Sequence, residues 1–232
     1  CQFTVKNFKS IRDEVTFDMQ AAAISEHEDR IIIDKDEQKY LPVSAVYGPN
    51  GGGKSNVLAA LHTLVAKVLR PLLATEDSEE KVLLQRKIIV EPFAFSKSKD
   101  EPTEFELFFR TTVSEYRYIL HVKRDIVLYE SLDRVKLETG RKSALFTRDE
   151  NGIVLKGAFA KLKVSDELSK TLTLLSYLGI AYKGNAVVKD VLSWFEYGIE
   201  FLNYGNPIQE LKMAVSTSEE VKQLMLQMIQ EM

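Results

Sequence analysis

Cysteine, proline and tryptophan are scarce in this chain: 232 residues hold one Cys, six Pro and one Trp. A lone Cys1 excludes an internal disulfide framework and fits a reducing, cytoplasmic setting. Long hydrophobic runs are missing too. The nearest, Leu172 to Tyr182, falls short of the roughly 20 residues of a membrane-spanning helix and is broken by Ser176 and Gly179, so no membrane partner is expected. The opening is strand-like, unlike a signal peptide. A basic excess is also absent. With 31 Lys and Arg against 34 Asp and Glu, the formal net charge is -3, and bulk charge gives no support for a DNA partner beyond one local patch. The three histidines, His27, His62 and His121, stand apart from any Cys or paired carboxylate at ligand spacing, which speaks against a resident metal centre.

What remains is an ordinary globular composition, 45% hydrophobic and 28% charged, long enough for one large domain or two small ones. Its patterning divides it into strand-like residues 1–158 and helix-like residues 159–232. Phe3 and Val5, then Val15, Phe17 and Met19, alternate with polar neighbours around the turn Lys9-Ser10-Ile11-Arg12-Asp13, predicting two short strands. Ile31-Ile32-Ile33 reads as a small surface strand with an acidic turn. Val43 to Tyr47 is an apolar run stopping at Gly48, as a buried parallel strand would. From Lys54 to Arg70, Val57, Leu58, Leu61, Leu64, Val65 and Val68 fall at helical spacing, and Pro71 to Glu80 reads as a solvated connection. Phe105, Leu107 and Phe109 alternate with Glu104, Glu106 and Phe108, and Tyr116, Tyr118 and Leu120 with Arg117 and Ile119, predicting neighbouring antiparallel strands whose aromatics fill a core instead of stacking on bases. Asn151-Gly152 signals a hairpin. Ser216 and Glu219 form a capping box, after which Val221, Leu224, Met225, Met228, Ile229 and Met232 mark one helical stripe.

Chemistry is concentrated at Gly48-Pro49-Asn50-Gly51-Gly52-Gly53-Lys54-Ser55, a match to the phosphate-binding pattern G-x-x-x-x-G-K-S/T. Asn50, Gly51, Gly52 and Gly53 let the backbone curl so that several N–H groups converge on phosphate oxygens. Lys54 would reach the β and γ phosphates and is the candidate catalytic residue. The Ser55 hydroxyl would ligate Mg²⁺. The helix that follows points its positive end at the same anion. The expected cofactors are therefore ATP and Mg²⁺, on an α/β P-loop fold with mixed antiparallel strands and a helical subdomain.

The run continues into Asn56, Leu58 and Leu61, and Gly-Pro-Asn-Gly-Gly-Gly-Lys-Ser-Asn resembles the ABC-class ATPases of the RecF and SMC type. Val5-Lys6-Asn7-Phe8-Lys9-Ser10-Ile11 is similar to their opening strand and turn, which implies that Lys9, Ser10 and Asn56 join the nucleotide site. Through Phe17-Asp18-Met19, Glu91-Pro92-Phe93, Pro102-Thr103-Glu104-Phe105-Glu106 and Trp194-Phe195, most of the chain resembles the AAA-type ATP-binding proteins of bacterial abortive-infection and restriction-linked systems, relatives of the OLD-family ATPases. The resemblance implies a homodimer of heads with nucleotide between them, coupled to an effector nuclease or toxin in phage defence or DNA processing.

The sequence departs from that class in three places. No Leu-Ser-Gly-Gly-like signature occurs, no apolar strand after the P-loop ends in Asp-Glu, and the class's glutamine has only Gln85 as a weak counterpart, with Glu91 at the more strand-like position. A chain that is the amino-terminal part of a longer protein would show this pattern and would hydrolyse ATP poorly alone. Alternatives are a non-catalytic nucleotide-binding scaffold and a P-loop small-molecule kinase, although Arg70 and Arg86 sit in no recognisable lid. A GTPase would need Asn-Lys-x-Asp, and Ser98-Lys99-Asp100 has the wrong spacing.

Overall fold

A computed structural model describes residues 1–22, 28–34, 37–73, 88–95, 100–165, 168–201 and 223. His27, Gln85, the Ser216–Glu219 box and the stripe from Val221 to Met232 lie outside the described residues. The chain divides into two compact units, Cys1–Gly198 and Ile199–Met232, and the elements below belong to the first.

Strands β1 (Gln2–Lys6) and β2 (Val15–Asp18) are followed by the small hairpin β3 (Ile32–Ile33) and β4 (Lys39–Tyr40), then helix α1 (Lys54–Leu73). Next come β5 (Thr103–Arg110), β6 (Ser114–Lys123), β7 (Ile126–Lys136), β8 (Lys142–Asp149) and β9 (Gly152–Leu155), and helices α2 (Leu174–Ala181) and α3 (Ala186–Tyr197). Seven strands form one antiparallel sheet in the order β2-β1-β5-β6-β7-β8-β9. The α/β fold class expected from the sequence is the one observed.

Period-two alternation makes this sheet two-sided. Phe3, Val5, Phe105, Leu107, Phe109, Tyr116, Tyr118 and Leu120 are buried on one face, in a register that sets Phe3 opposite Leu107 and Phe105 opposite Leu120. Burying each such side chain stabilises the fold by about 1.5–3 kcal/mol. Helix α3 packs on this face through Phe195, whose ring lies edge-on to Phe109 at 5.5 Å and to Tyr118 at 5.8 Å. The opposite face carries polar pairs such as Lys6 with Glu104 at 3.1 Å and Arg117 with Glu106.

Helix α1 buries Ala60, Leu61, Leu64, Val65 and Val68 and packs against β1, α2 and α3. By length and composition it could cross a membrane, with a mean hydropathy of 1.3 over its most apolar window, so the expectation that no such run exists missed it. Its apolar face is used for packing in this fold: at Gly179 of α2 an added Cβ would lie 2.6 Å from Leu72. The helix also runs past Arg70, through Pro71 to Leu73; Pro71 cannot donate to the Lys67 carbonyl, which lies within reach of the Ser176 hydroxyl at 3.4 Å instead.

One further expectation is corrected, and one is met, since β8 and β9 form the expected hairpin. Val43 to Tyr47 is irregular chain, not a buried strand, with Val43 77% and Tyr47 89% exposed. A parallel strand must hydrogen-bond to neighbours of matching direction, and among the described residues no strand pairs with this run. The β8–β9 turn uses Glu150 and Asn151, since Asp149 pairs with Gly152. Asp149 accepts from the Asn151 N–H at 2.8 Å, and Gly152 opens β9 at φ 124°, so the glycine follows the turn.

Inside the unit, a polar cluster ties the sheet to α2. Glu130 is fully buried on β7, and its carboxylate accepts from the Leu174 and Leu175 N–H groups at 2.5 and 3.0 Å and from the Tyr118 hydroxyl at 2.9 Å. Arg148 lies 3.9 Å away and donates to the Leu172 and Ser169 carbonyls. Burial pushes the Glu130 carboxyl above its ordinary value, against the opposing pull of those N–H groups, and pushes the Tyr118 hydroxyl well up.

Candidate nucleotide-binding site

The site is built where the loop Gly48–Gly53 enters α1. Gly51 and Gly53 adopt φ 79° and 85°, angles that favour glycine. The Gly52 N–H bonds back to the Pro49 carbonyl at 3.1 Å, and the Asn56 N–H to the Gly53 carbonyl at 2.9 Å, which closes the bend onto the first helical turn. Lys54 folds over the loop and donates to the Gly48 and Pro49 carbonyls, both at 2.8 Å. Asn50 lies at the exposed tip, and the Ser55 side of the helix start is exposed as well.

The N–H groups of Gly51, Gly53, Lys54 and Ser55 have no protein acceptor among the described residues. A helix start with free donors, a curled glycine loop and a lysine is a receptacle for an anion.

The β1–β2 turn forms one wall. Asn56 donates to the Ser10 hydroxyl at 2.7 Å. A Cβ built on Gly53 would lie 2.8 Å from that same oxygen, so the loop and the turn are in direct apposition, and only glycine fits between them. The turn is fixed by Asn7, a buried residue at φ 57° whose side chain donates to the Glu101 and Pro102 carbonyls at 3.0 and 3.1 Å and accepts from the Phe93 N–H at 3.0 Å. Thr103 donates its hydroxyl to the Asn7 carbonyl at 2.6 Å. Lys9 is anchored by its N–H to the Glu91 carbonyl at 2.9 Å, while its ammonium lies 5.5 Å from the Phe8 ring centre. Sequence reasoning singled out Ser10 and Asn56 but not Asn7 as the fixing residue. The signal for Asn7 was its type, since asparagine tolerates a left-handed backbone better than most residues.

Among the described residues no group of three or more His, Cys, Asp or Glu side chains comes together to hold a metal ion. His62 is an exposed residue of α1, and His121 sits on the sheet beside Tyr129, where burial lowers its pKa.

Fold and loop together define a P-loop nucleotide-binding domain, and the residues fit the phosphate tail of a nucleotide: free N–H donors, a cradle that a Cβ would fill, a lysine and a hydroxyl. Residues 43–188 match the family described as "AAA domain, putative AbiEii toxin, Type IV TA system". The chain belongs to this family of AAA-type P-loop ATPases of abortive-infection systems. The match begins at Val43, so the β1–β2 turn precedes it. No curated protein matches the sequence.

Proposed function

We propose that this chain is the ATP-binding part of an ABC-class ATPase related to the OLD family. In this reading Gly51, Gly53, Lys54 and Ser55 offer their N–H groups to phosphate, Lys54 exchanges its two loop carbonyls for phosphate oxygens, and Ser55 serves Mg²⁺. When bound, Mg²⁺ would neutralise charge on the phosphate tail. Ser10, Lys9 and Asn56 close the site from the turn side. Two such heads associate with nucleotide between them in a cytoplasmic homodimer. The family's description names a toxin system, which supports coupling to a toxin or nuclease effector in phage defence or DNA processing.

The single observation that carries the nucleotide reading is the set of free N–H groups around Lys54. Calorimetry with Mg²⁺ and ATP tests it. Lys54→Ala should weaken binding by about 10- to 100-fold, the worth of charge-assisted hydrogen bonds to phosphate, with an unchanged melting temperature. Absence of heat with the unaltered chain would overturn the reading. Sedimentation with ATP and with ADP tests the dimer, which should form with the triphosphate alone. A kinase would stay monomeric with both. Slow hydrolysis is expected: contrary to the sequence expectation, β8 runs into Asp149-Glu150, but that pair belongs to the β8–β9 turn, where Asp149 accepts from the Asn151 N–H at 2.8 Å.

A further inference from the structure

The seven-stranded sheet has two borders, and the chain treats them differently. Beyond β2 the backbone goes on to bond with the β4 segment: the Leu41 N–H reaches the Met19 carbonyl at 2.8 Å, and the Ala21 N–H reaches the Lys39 carbonyl at 2.9 Å. At the other border stands β9, which pairs only with β8 among the described residues. In an antiparallel pair, alternate residues turn their N–H and C=O groups toward the neighbour. The tight turn makes Asp149 and Gly152 a bonded pair, and the Lys156 N–H reaches the Leu145 carbonyl at 2.7 Å, so Gly152, Val154 and Lys156 face β8. Ile153 and Leu155 therefore present their main-chain groups outward, where neither has a partner among the described residues. Apart from its brevity, β9 carries none of the devices that blunt an edge. No charge, proline or bulge interrupts Gly-Ile-Val-Leu.

The same border carries a groove of about 930 Å³, lined by Leu128, Ile153, Leu155, Leu162, Val164 and Leu168. Exposed lysines accompany it: Lys170 in its wall, Lys156 at the end of β9, and Lys161 and Lys163 next in the chain to Leu162 and Val164. None of the four pairs with a carboxylate among the described residues. The acidic side chains of the groove are Asp149 and Glu150, at the turn, and Arg148 already donates to the Leu172 and Ser169 carbonyls. Lysines thus outnumber carboxylates on this border, in a chain whose overall charge is -3. An aliphatic groove beside unpaired main-chain groups suits a polypeptide and gives a phosphate backbone no partner. A second copy of this chain would double the positive surplus, whereas an acidic strand offsets it.

We propose that the β9 edge is a docking site for an extended, acidic segment of a partner protein, which joins the sheet as an added strand. Its main chain bonds to Ile153 and Leu155, its alternate apolar side chains enter the groove, and its carboxylates meet the lysines. Nucleotide takes no part in this contact, so it stands or falls separately from the P-loop reading.

The test is fluorescence anisotropy on the full chain with short labelled peptides in which valine alternates with glutamate or with lysine. The glutamate peptide should bind at least about 10-fold more tightly than the lysine peptide, and more weakly as salt rises. Ile153→Pro removes an outward N–H that β8 does not use, and should cost roughly 3- to 10-fold in affinity. Lys161→Glu combined with Lys163→Glu alters two exposed positions, should cost a similar factor and flatten the salt dependence, and keeps the test decisive if the proline variant does not fold. No binding of the glutamate peptide at about 1 mM, equal affinity for both peptides, or folded variants that bind like the unaltered chain would overturn the proposal. So would a nucleotide-independent dimer in sedimentation that Ile153→Pro abolishes, or binding of a DNA duplex more tightly than the glutamate peptide that the lysine changes abolish. Either result would give this border to a different occupant.

Discussion

Two helix starts in this protein meet the same electrostatic problem with opposite solutions. At α2 the first N–H groups, those of Leu174 and Leu175, are met inside the core by the Glu130 carboxylate, and Thr173 accepts from the Ser176 N–H. At α1 the corresponding groups of Lys54 and Ser55 face outward and have no acceptor among the described residues, while Lys54 borrows two carbonyls of its own loop. Every helix start presents donors and a partial positive charge. A start that carries its own anion is part of the architecture. A start that lacks one, on a glycine bend, is a binding site.

The strongest way to break the comparison is to remove the internal anion. Glu130→Ala should destabilise the fold by about 3–5 kcal/mol, because it strips two N–H groups, the Tyr118 hydroxyl and the nearby Arg148 of a buried partner. Denaturant unfolding measures this. Nucleotide affinity of the folded fraction should not change. The pH dependence has a definite sign. Burial raises the carboxyl's folded-state pKa above the ordinary 4.5, so its contribution is complete below pH 4.5 and declines as pH rises through the folded-state value. Glu130→Gln does not titrate, and the stability difference between it and the unaltered chain should therefore move against the unaltered chain as pH rises through that window. A difference independent of pH would show that Glu130 titrates alike folded and unfolded.

The glycine bend offers a smaller effect, concentrated on the open helix start. Gly53→Ala meets both a backbone angle of 85° and the Ser10 oxygen at 2.8 Å from the new Cβ, whereas Gly51→Ala meets only an angle of 79° with open space around it. Gly53→Ala should cost about 1–3 kcal/mol of stability or of nucleotide binding, and Gly51→Ala toward the lower end of that range. Adding Ser10→Gly to Gly53→Ala should recover part of the loss, and a double-mutant cycle by thermal unfolding and calorimetry reads the coupling. Equal effects at Gly51 and Gly53, with no coupling, would mean that the turn does not press on the loop.

The open helix start was legible in the sequence because its features are local. Glycines, lysine and serine at fixed spacing, followed by apolar residues at helical spacing, announced loop and helix within a few residues. Alternation announced β1, β2, β5 and β6 in the same way. The closed start was invisible, because Glu130 and Leu174 are 44 positions apart and nothing in either stretch names the other. The wall of the open site has the same character: Ser10 and Asn56, 46 positions apart, meet only after β1 and α1 have packed. The apolar run Val43 to Tyr47 marks the limit from the other side. Apolar composition states a preference for burial, but it does not supply the neighbours that would do the burying.

That run provides the smallest prediction and sharpens the comparison most finely. If the approach to the P-loop is as exposed as the bend itself, Val43→Thr and Tyr47→Ser should each change stability by no more than about 0.5 kcal/mol, as expected of surface positions. They should also leave nucleotide affinity unaltered, since neither side chain reaches a buried partner. A loss of about 1 kcal/mol or more at either position, read by denaturant unfolding, would mean that the run is covered in solution, since removing apolar atoms from a covered site forfeits transfer energy. The two helix starts would then differ only in their anion and not in the firmness of their support. The free N–H groups of α1 would have to be regarded as held in place from behind, like those of α2, rather than positioned by the glycine bend and the β1–β2 turn alone.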